Sequence, residues 1–279
     1  MSYKSILVLL DHTKSSQARA EVAIGLAIRH SAHVTALYVV VDPSSAIYVR
    51  GYLPQDVLST ARAQEEALAN DVMDRFAAAA ERHQLLFDKR IERGLDYAVP
   101  DIISMHARYT DLMVVGQTDP DDPPPIPGLP GQLVLACGCP ILMVPYIGPA
   151  ATLGEHVAVA WDASREAARA VRDAMPILTQ AKSVSVVVVN PDQRSLGHGD
   201  VPGADIAAHL ARHGLKVSVQ RVDNPSLDVG NALLSHLASE SADLLVMGGY
   251  GHSRLREIIL GGVTRSMLHE MTVPILMSH

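Results

Sequence analysis

A glycine-rich loop in the last third of the chain contains the residue types best suited to chemistry. It follows an apolar run and comprises these residues: Gly248, Gly251, Gly261, Gly262, Val263 and Thr264. Glycine leaves backbone N–H groups open to phosphate oxygens, because no Cβ stands in the way. The helix-like segment from Arg265 to Glu270 would add unpaired N–H donors and the positive end of a helix dipole. The loop therefore predicts a phosphate-binding site.

Neighbouring side chains could add to this contact. Thr264 could donate its hydroxyl, and three arginines lie close in sequence: Arg254, Arg256 and Arg265. A P-loop would need Gly-Lys-Ser/Thr, and a dinucleotide fingerprint would follow the first strand, so both fit poorly. Each glycine taken singly favours a structural role in a turn or in helix packing. The four glycines together favour phosphate binding.

The elements that must position the loop occur twice along the chain. A short apolar run followed by an aspartate occurs at Ile6–Leu10 and again at His156–Ala160. Each half later contains a strand that ends in glycine, at Gly116 or Gly248, and then a strand that begins after proline. Helix-period segments alternate with these strands, which predicts right-handed crossovers and parallel sheets. The sequence predicts a duplication, with domains at 1–147 and 154–279.

Composition limits the function classes. Of the 279 residues, 48% are hydrophobic and only 4% aromatic, so an aliphatic core of buried parallel strands is expected. The net charge of -7 without a basic stripe argues against nucleic-acid binding. No apolar run reaches the length needed for membrane insertion. The N-terminus lacks a signal-peptide pattern, and the closely spaced Cys137 and Cys139 suit reduced thiols, so we expect a cytoplasmic protein.

The loop resembles the motif of the universal stress protein family, in its tandem two-domain form. The ATP-binding branch has G-x-x-G, nine residues, G and then Ser or Thr. Gly248, Gly251 and Gly261 match this spacing, whereas Gly262 stands where a hydroxyl residue is usual. The resemblance implies two α/β, adenine nucleotide α-hydrolase-like domains, each a doubly wound five-stranded parallel sheet of order 3-2-1-4-5 with helices on both faces. It also implies ATP, or AMP or ADP, as ligand, with weakened phosphate contact at Gly262.

The resemblance further implies an adenosine pocket in the second half. Asp162 matches the acidic residue that contacts the ribose or a bound metal, which with ATP would be Mg²⁺. Ala160 and Trp161 match the pair that lines the base site, and Val188 matches the position whose backbone reads the adenine edge. The ring of Trp161, the only tryptophan, could stack on adenine or merely cover the sheet edge.

The first half has lost the glycine spacing. Gly116 is followed by a segment rich in proline and aspartate, 117–130. Proline has no N–H group to offer a phosphate, and aspartates repel one. We therefore expect no triphosphate binding here, although Asp11 matches Asp162. The sequence favours a rigid loop that lost its role after duplication over an altered ligand pocket or partner surface.

The function we expect is nucleotide-dependent stress signalling, in which ATP occupancy changes the shape offered to an unidentified protein partner. The two halves are expected to stack as an internal pseudo-dimer, and a further homodimer stays open. No general base is identifiable, so slow ATP hydrolysis or autophosphorylation is only an alternative. An ATP pyrophosphatase would need an S-G-G-x-D-S loop, which Ala160–Ser164 does not supply. A nucleotide-free scaffold is the remaining alternative.

Overall fold

The structure, a computed structural model, describes most of the chain. The described ranges are 2–42, 55–124, 126–147, 152–191, 201–224, 226–251 and 262–279. They fall into two compact units, a first unit of Ser2–Cys139 and a second unit of Pro140–His279. Gly261, Arg254 and Arg256 lie outside the described residues.

The first unit alternates strands with helices. Its elements are β1 Ser5–Leu10, α1 Ser16–His30, β2 His33–Val41, α2 Gln55–Arg82, β3 Phe87–Gly94, α3 Val99–Ala107, β4 Leu112–Gly116 and α4 Leu129–Ala136. The strands lie in the order β3-β2-β1-β4, and every pair is parallel. The aliphatic strands are buried because helices cover them.

The second unit repeats this pattern. Its elements are β5 Ile141–Val144, β6 His156–Ala160, α5 Arg165–Leu178, β7 Ser183–Val189, α6 Ala204–Arg212, β8 Val217–Val222, α7 Val229–Ser239, β9 Leu244–Gly248, α8 Gly262–Glu270 and β10 Ile275–Ser278. The order is β5-β10-β9-β6-β7-β8. All pairs are parallel except β5 with β10.

The predicted fold class is confirmed. Counted from the start of the second repeat, the order β8-β7-β6-β9-β10 is 3-2-1-4-5, and the first unit shows its first four members as β3-β2-β1-β4. The antiparallel pairing of β5 with β10 is a feature that the repeat does not predict. It groups β5 with the second unit and makes the sheet mostly, not wholly, parallel.

One aspartate before each fourth strand shows the duplication in hydrogen bonds. Asp243 is buried, and its carboxylate accepts the N–H groups of residues 154–156 at 3.0 Å each. Asp111 accepts the N–H groups of Lys4 at 2.6 Å and Ser5 at 3.0 Å in the same way. Each aspartate therefore fixes the start of the central strand of its unit, β6 or β1.

Gly248 lets α5 lie close against the end of β9. A Cβ at this position would stand 2.6 Å from the backbone nitrogen of Ala167 and 2.7 Å from the carbonyl carbon of Glu166. Such contacts with backbone atoms cannot be relieved by side-chain motion. The glycine that ends the strand is thus required by packing, whatever else it does. Within the described ranges, no helix combines the length and apolar character that crossing a bilayer requires.

Candidate functional site

A cavity of about 380 Å³, here called the second-unit cavity, opens beyond the carboxyl ends of β6, β7 and β9. The strand order reverses at this point, because β7 lies on one side of β6 and β9 on the other. In open α/β sheets such a switch point leaves a crevice in which ligands bind. The topology therefore forms the cavity before any side chain is considered.

The second-unit cavity brings together every predicted site residue that the structure describes. The nine residues are Ala160, Trp161, Asp162, Val188, Gly248, Gly251, Gly262, Val263 and Thr264. They come from four separate stretches of sequence. Gly261 was also predicted and falls outside the described part of the chain.

The wall formed by β6 and β7 is apolar and has a free backbone edge. The ladder between these strands ends where the N–H of Trp161 donates to the carbonyl of Val187 at 2.9 Å. Beyond that bond, Val188 and Val189 line the cavity and β7 no longer pairs with β6. The N–H and C=O of Val189 face the side that β6 has left, whereas those of Val188 face β8, as the N–H groups of Val184 and Asn190 do. Leu233 extends the apolar surface from α7. A flat ring with polar edges could bury its faces here while its edge meets backbone groups.

Asp162 is held in a tight turn between β6 and α5. Its Oδ1 accepts the N–H of Ser164 at 3.0 Å, and Ala163 between them has a left-handed φ of 61°. Ser164 in turn caps α5, because its Oγ accepts the N–H of Ala167 at 3.1 Å. The exposed carboxylate of Asp162 is thereby fixed at the rim of the cavity.

The other rim is formed by the glycine loop and the start of α8. Gly262 is the first described residue of α8, and the N–H groups in the first turn of a helix have no partner within it. A Cβ on Gly262 would meet nothing within 4 Å. The buried Thr264 accepts the N–H of Tyr250 at 3.2 Å through its Oγ1. Its side chain therefore ties the loop to the helix, a role that the sequence did not predict.

A buried carboxylate lies behind the loop. Glu166 is 4% exposed, and its Oε1 lies 2.5 Å from Nε of the exposed Arg165. Its Oε2 would stand 3.2 Å from a Cβ built on Gly251. Any side chain at residue 251 would therefore press on a buried negative group.

Tyr250 and Asn190 line the cavity but were missed by the sequence reasoning. Both have left-handed backbones, with φ of 57° and 44°. Burial raises the pKa of the Tyr250 phenol to about 12, so it stays protonated at neutral pH. Asn190 is locked by two bonds with the backbone of Asn224, at 2.7 and 3.1 Å. Each follows the end of a strand by one or two residues, and that position was the available signal.

The described residues contain no cluster of three or more side chains of the kinds that ligate metals. A single carboxylate such as that of Asp162 still suits Mg²⁺, which usually keeps several waters and binds through one or two carboxylates together with phosphate oxygens. The donor set thus fits a metal that arrives with a nucleotide, and it does not form a resident metal site.

In the first unit an arginine fills the space beside Asp11 and Gly116, the counterparts of Asp162 and Gly248 in the second unit. Arg19 is 4% exposed, and its Nη2 lies 2.8 Å from Oδ1 of Asp11. A Cβ on Gly116 would stand 2.7 Å from Nη1 of the same guanidinium. Asp162 follows Asp11 by 151 positions, and Ala170 stands 151 positions after Arg19. The first unit therefore neutralises its aspartate internally.

The Asp11 carboxyl is further held by its own turn. Its Oδ1 accepts the N–H of Thr13 at 3.0 Å and the Thr13 hydroxyl. Burial acts to raise the pKa of Asp11, but the charge and hydrogen bond of Arg19 and the bonds from Thr13 outweigh it and lower the pKa. The Asp11 carboxylate therefore stabilises its own turn and the buried pair with Arg19.

Comparison with known proteins gives a consistent result. A family model described as "Universal stress protein family" matches residues 2–145 and again residues 154–279. A universal stress protein of Synechocystis sp. is 33% identical over 70 residues, which are 24% of this chain and 22% of that protein. The match therefore spans about a fifth of the length of this curated relative.

Solved structures agree in fold. The crystal structure of a universal stress protein from Archaeoglobus fulgidus has a TM-score of 0.73 at 17% identity, covering 98% of this chain and 97% of the other. A functionally unknown protein from Pseudomonas aeruginosa has a TM-score of 0.60 at 14% identity, with 99% and 92% covered. At these identities the likeness concerns the tandem α/β fold alone.

Proposed function

Because this chain belongs to the universal stress protein family, we propose that its second domain, residues 154–279, binds ATP or a related adenine nucleotide in the second-unit cavity. Occupancy would change the surface that the protein offers to a partner protein in stress signalling. The observation that carries the proposal is the convergence of nine separately predicted residues on one cavity at the switch point of the sheet.

The lining supports a division of the ligand between two ends. The apolar wall of Val188 and Val189, with its free backbone edge at Val189, suits adenine, and the ring of Trp161 is available to stack on it. The carboxylate of Asp162 suits ribose hydroxyls, or Mg²⁺ that accompanies the phosphates. Unpaired N–H groups at the start of α8, together with Gly251, suit phosphate oxygens. The open space at Gly262 leaves room for that approach.

The nucleotide-binding signalling module, the pyrophosphatase and the nucleotide-free scaffold predict three different outcomes of one experiment. Protein purified without added ligand is denatured, and the released nucleotides are identified by chromatography and ultraviolet absorbance. We expect adenine nucleotide to be released, and added ATP to persist over many hours with the protein. Steady formation of AMP and pyrophosphate would instead favour the pyrophosphatase alternative. Absence of nucleotide, together with no binding of added ATP, would leave only the scaffold.

Gly262→Ser should tighten ATP binding by about fivefold, because an added hydroxyl can donate one more hydrogen bond to a charged phosphate, worth on the order of 1 kcal/mol net. The side chain has room, since a Cβ here meets nothing within 4 Å. Isothermal titration calorimetry measures the change.

Gly262→Ala is the matched control, because it adds the Cβ without the hydroxyl and should give no gain. Equal affinity for Gly262→Ser and Gly262→Ala would argue against phosphate at the start of α8.

A further inference from the structure

The first unit also contains a cavity, of about 250 Å³, here called the first-unit cavity. It lies at the carboxyl ends of β1 and β2, beneath α2 and α3. Its lining is mostly aliphatic, and the polar members are Asp11, His12, Tyr38, Gln64 and Glu65. At about 30 Å³ per water molecule, the space equals roughly eight waters, enough for a small organic ligand.

Strand register shows that this cavity occupies the same place in its unit as the second-unit cavity. Leu10 pairs with Tyr38 in the first unit, whereas Trp161 follows the pair of Ala160 with Val187 and is thus level with Val188. Leu10 therefore stands where the second unit has Trp161, and Tyr38 stands where it has Val188. The cavity therefore lies at the same position in both units, but in the first unit the phenol of Tyr38 projects from the second strand.

The polar end of the first-unit cavity carries negative charge without a cation. Among the described residues that line it there is no lysine or arginine. Asp11 is already neutralised by Arg19, which lies behind the lining. Glu65 is half-buried, and within the described ranges its carboxylate has neither a hydrogen-bond partner nor an ion pair. The charge that remains available to a ligand is thus that of Glu65.

Other hydrogen-bonding groups line the same cavity as this carboxylate. Burial first, then the charges of Glu65 and Asp11, raise the pKa of Tyr38 to about 12, so its hydroxyl stays protonated. Tyr38 and Glu65 both line the first-unit cavity. Tyr38 Oη shares a hydrogen bond of 3.2 Å with Nδ1 of His12.

A phosphate or carboxylate would find no lysine or arginine partner among the described residues that line the cavity. The segment that replaces the glycine loop contributes Pro124, Ile126 and Leu129 to the lining. Proline has no N–H group, and the N–H of Leu129 is bonded to the carbonyl of Ile126. An anion would also be repelled by Glu65 across a medium of low dielectric. A cation would gain an ion pair with Glu65, and an apolar body would bury its surface against Leu9, Val39 and Ile103.

We propose that the first-unit cavity binds a small ligand made of an apolar body and a protonated amino group, with the amine at Glu65. This site is independent of the nucleotide site, and it replaces the expectation that the first half retained only a functionless loop. A duplicated chain would then carry two ligand sites of opposite charge preference.

A series of probes that differ only in charge tests this proposal on the intact 279-residue protein. Phenethylamine, phenethyl alcohol and hydrocinnamate share a benzene ring and a short chain but are cationic, neutral and anionic. Calorimetry and saturation-transfer NMR should show that the amine binds best, the alcohol about fivefold more weakly, and the acid not at all; fivefold corresponds to a half-buried ion pair.

Four variants test whether the amine binds at Glu65 in the first-unit cavity. Glu65→Gln should weaken the amine about fivefold and leave the alcohol unchanged, whereas Glu66→Gln should change neither. Glu66 is the matched control because it pairs with Arg93 at 2.8 Å and does not line the cavity. Ala61→Trp should fill the space and abolish binding of both probes. Ala63→Trp, on the exposed side of the same helix, should not.

Four outcomes would overturn the proposal. The first three are binding of hydrocinnamate as strong as that of the amine, amine binding that survives Ala61→Trp, and no amine binding at concentrations on the order of 10 mM. Gly251→Asp should leave amine binding intact, so failure of the nucleotide proposal and failure of this one are separable. Displacement of the amine by ATP would also contradict it.

Discussion

Gly251→Asp should abolish the thermal stabilisation that ATP gives to this protein. The new carboxylate would stand on the face where the phosphates are proposed to lie, and its Cβ would be 3.2 Å from Oε2 of the buried Glu166. The added negative group would then oppose a polyanion at the rim of the cavity. ATP at 100 times its Kd should stabilise the native protein by about 2.7 kcal/mol, and the variant by about zero. Differential scanning fluorimetry with and without ATP measures both.

The quantity to compare is the difference in thermal stability between the protein with ATP and the protein without it, since the substitution also changes the stability of the free protein. Gly25→Asp is the matched control. It adds the same charge at an exposed position of α1 where a Cβ meets nothing within 4 Å. Gly25→Asp should keep the full response to ATP. If Gly251→Asp keeps it as well, the glycine loop is not the site.

Arg19→Met should lower the free energy of unfolding by about 3–5 kcal/mol, because it leaves the Asp11 carboxylate buried without its partner. The two side chains are only 5% and 18% exposed, so solvent cannot replace the lost charge. Chemical denaturation followed by circular dichroism measures the loss. ATP affinity should not change, because the pair belongs to the first unit and the proposed nucleotide site to the second.

The pH dependence of this loss has a defined sign. In the native protein the pKa of Asp11 is lowered, so its contribution is present above the unfolded pKa of about 3.9 and is lost as pH falls through the folded pKa. Without Arg19, burial, the largest single influence, is opposed only by the bonds from Thr13, so the pKa of Asp11 rises above its native value. Relative to the native protein, the variant then loses stability as pH rises through that higher pKa. The difference between native protein and variant should therefore shrink as pH is lowered from about 7 to about 4.5.

Two comparisons separate the buried charge from simple loss of a side chain. Arg62→Met removes an exposed pair with Asp42 and should cost at most about 1 kcal/mol. Adding Asp11→Asn to Arg19→Met removes the orphaned charge and should recover most of the stability at neutral pH. A loss that is insensitive to both pH and Asp11→Asn would mean that packing, and not charge, is what Arg19 contributes.

The residues that line the second-unit cavity could be picked out from the sequence because they stand at strand ends, and their binding of a nucleotide stays a prediction. Asp162 and Gly248 directly follow short apolar runs, and the carboxyl ends of parallel strands meet at one edge of a sheet. Val188 could be placed because the repeat gives the position of the second strand. Duplication supplied an internal check, since Asp111 and Asp243 mark the same point in both halves.

The first unit was predicted less completely, for reasons that lie in particular residues. Arg19 stands within the buried face of α1, where a charged residue has no periodic signal. Its role depends on a contact with Asp11 and on the space left by Gly116. Tyr38 lies in a β-branched run that reads as ordinary strand, and Glu65 lies on a long helix rich in charged residues. Only tertiary packing brings the side chains of Tyr38 and Glu65 to one cavity. The cytoplasmic location and the pseudo-dimer stay predictions.

Titration of the intact protein with ATP tests the central claim most directly. The titration is monitored both by calorimetry and by the fluorescence of Trp161. Trp161 is the only tryptophan and lines the second-unit cavity, so its signal reports that place alone. We predict one ATP per chain, with the heat and the Trp161 signal saturating together. Absence of heat, two ATP molecules per chain, or binding that leaves the fluorescence of Trp161 unchanged would contradict it.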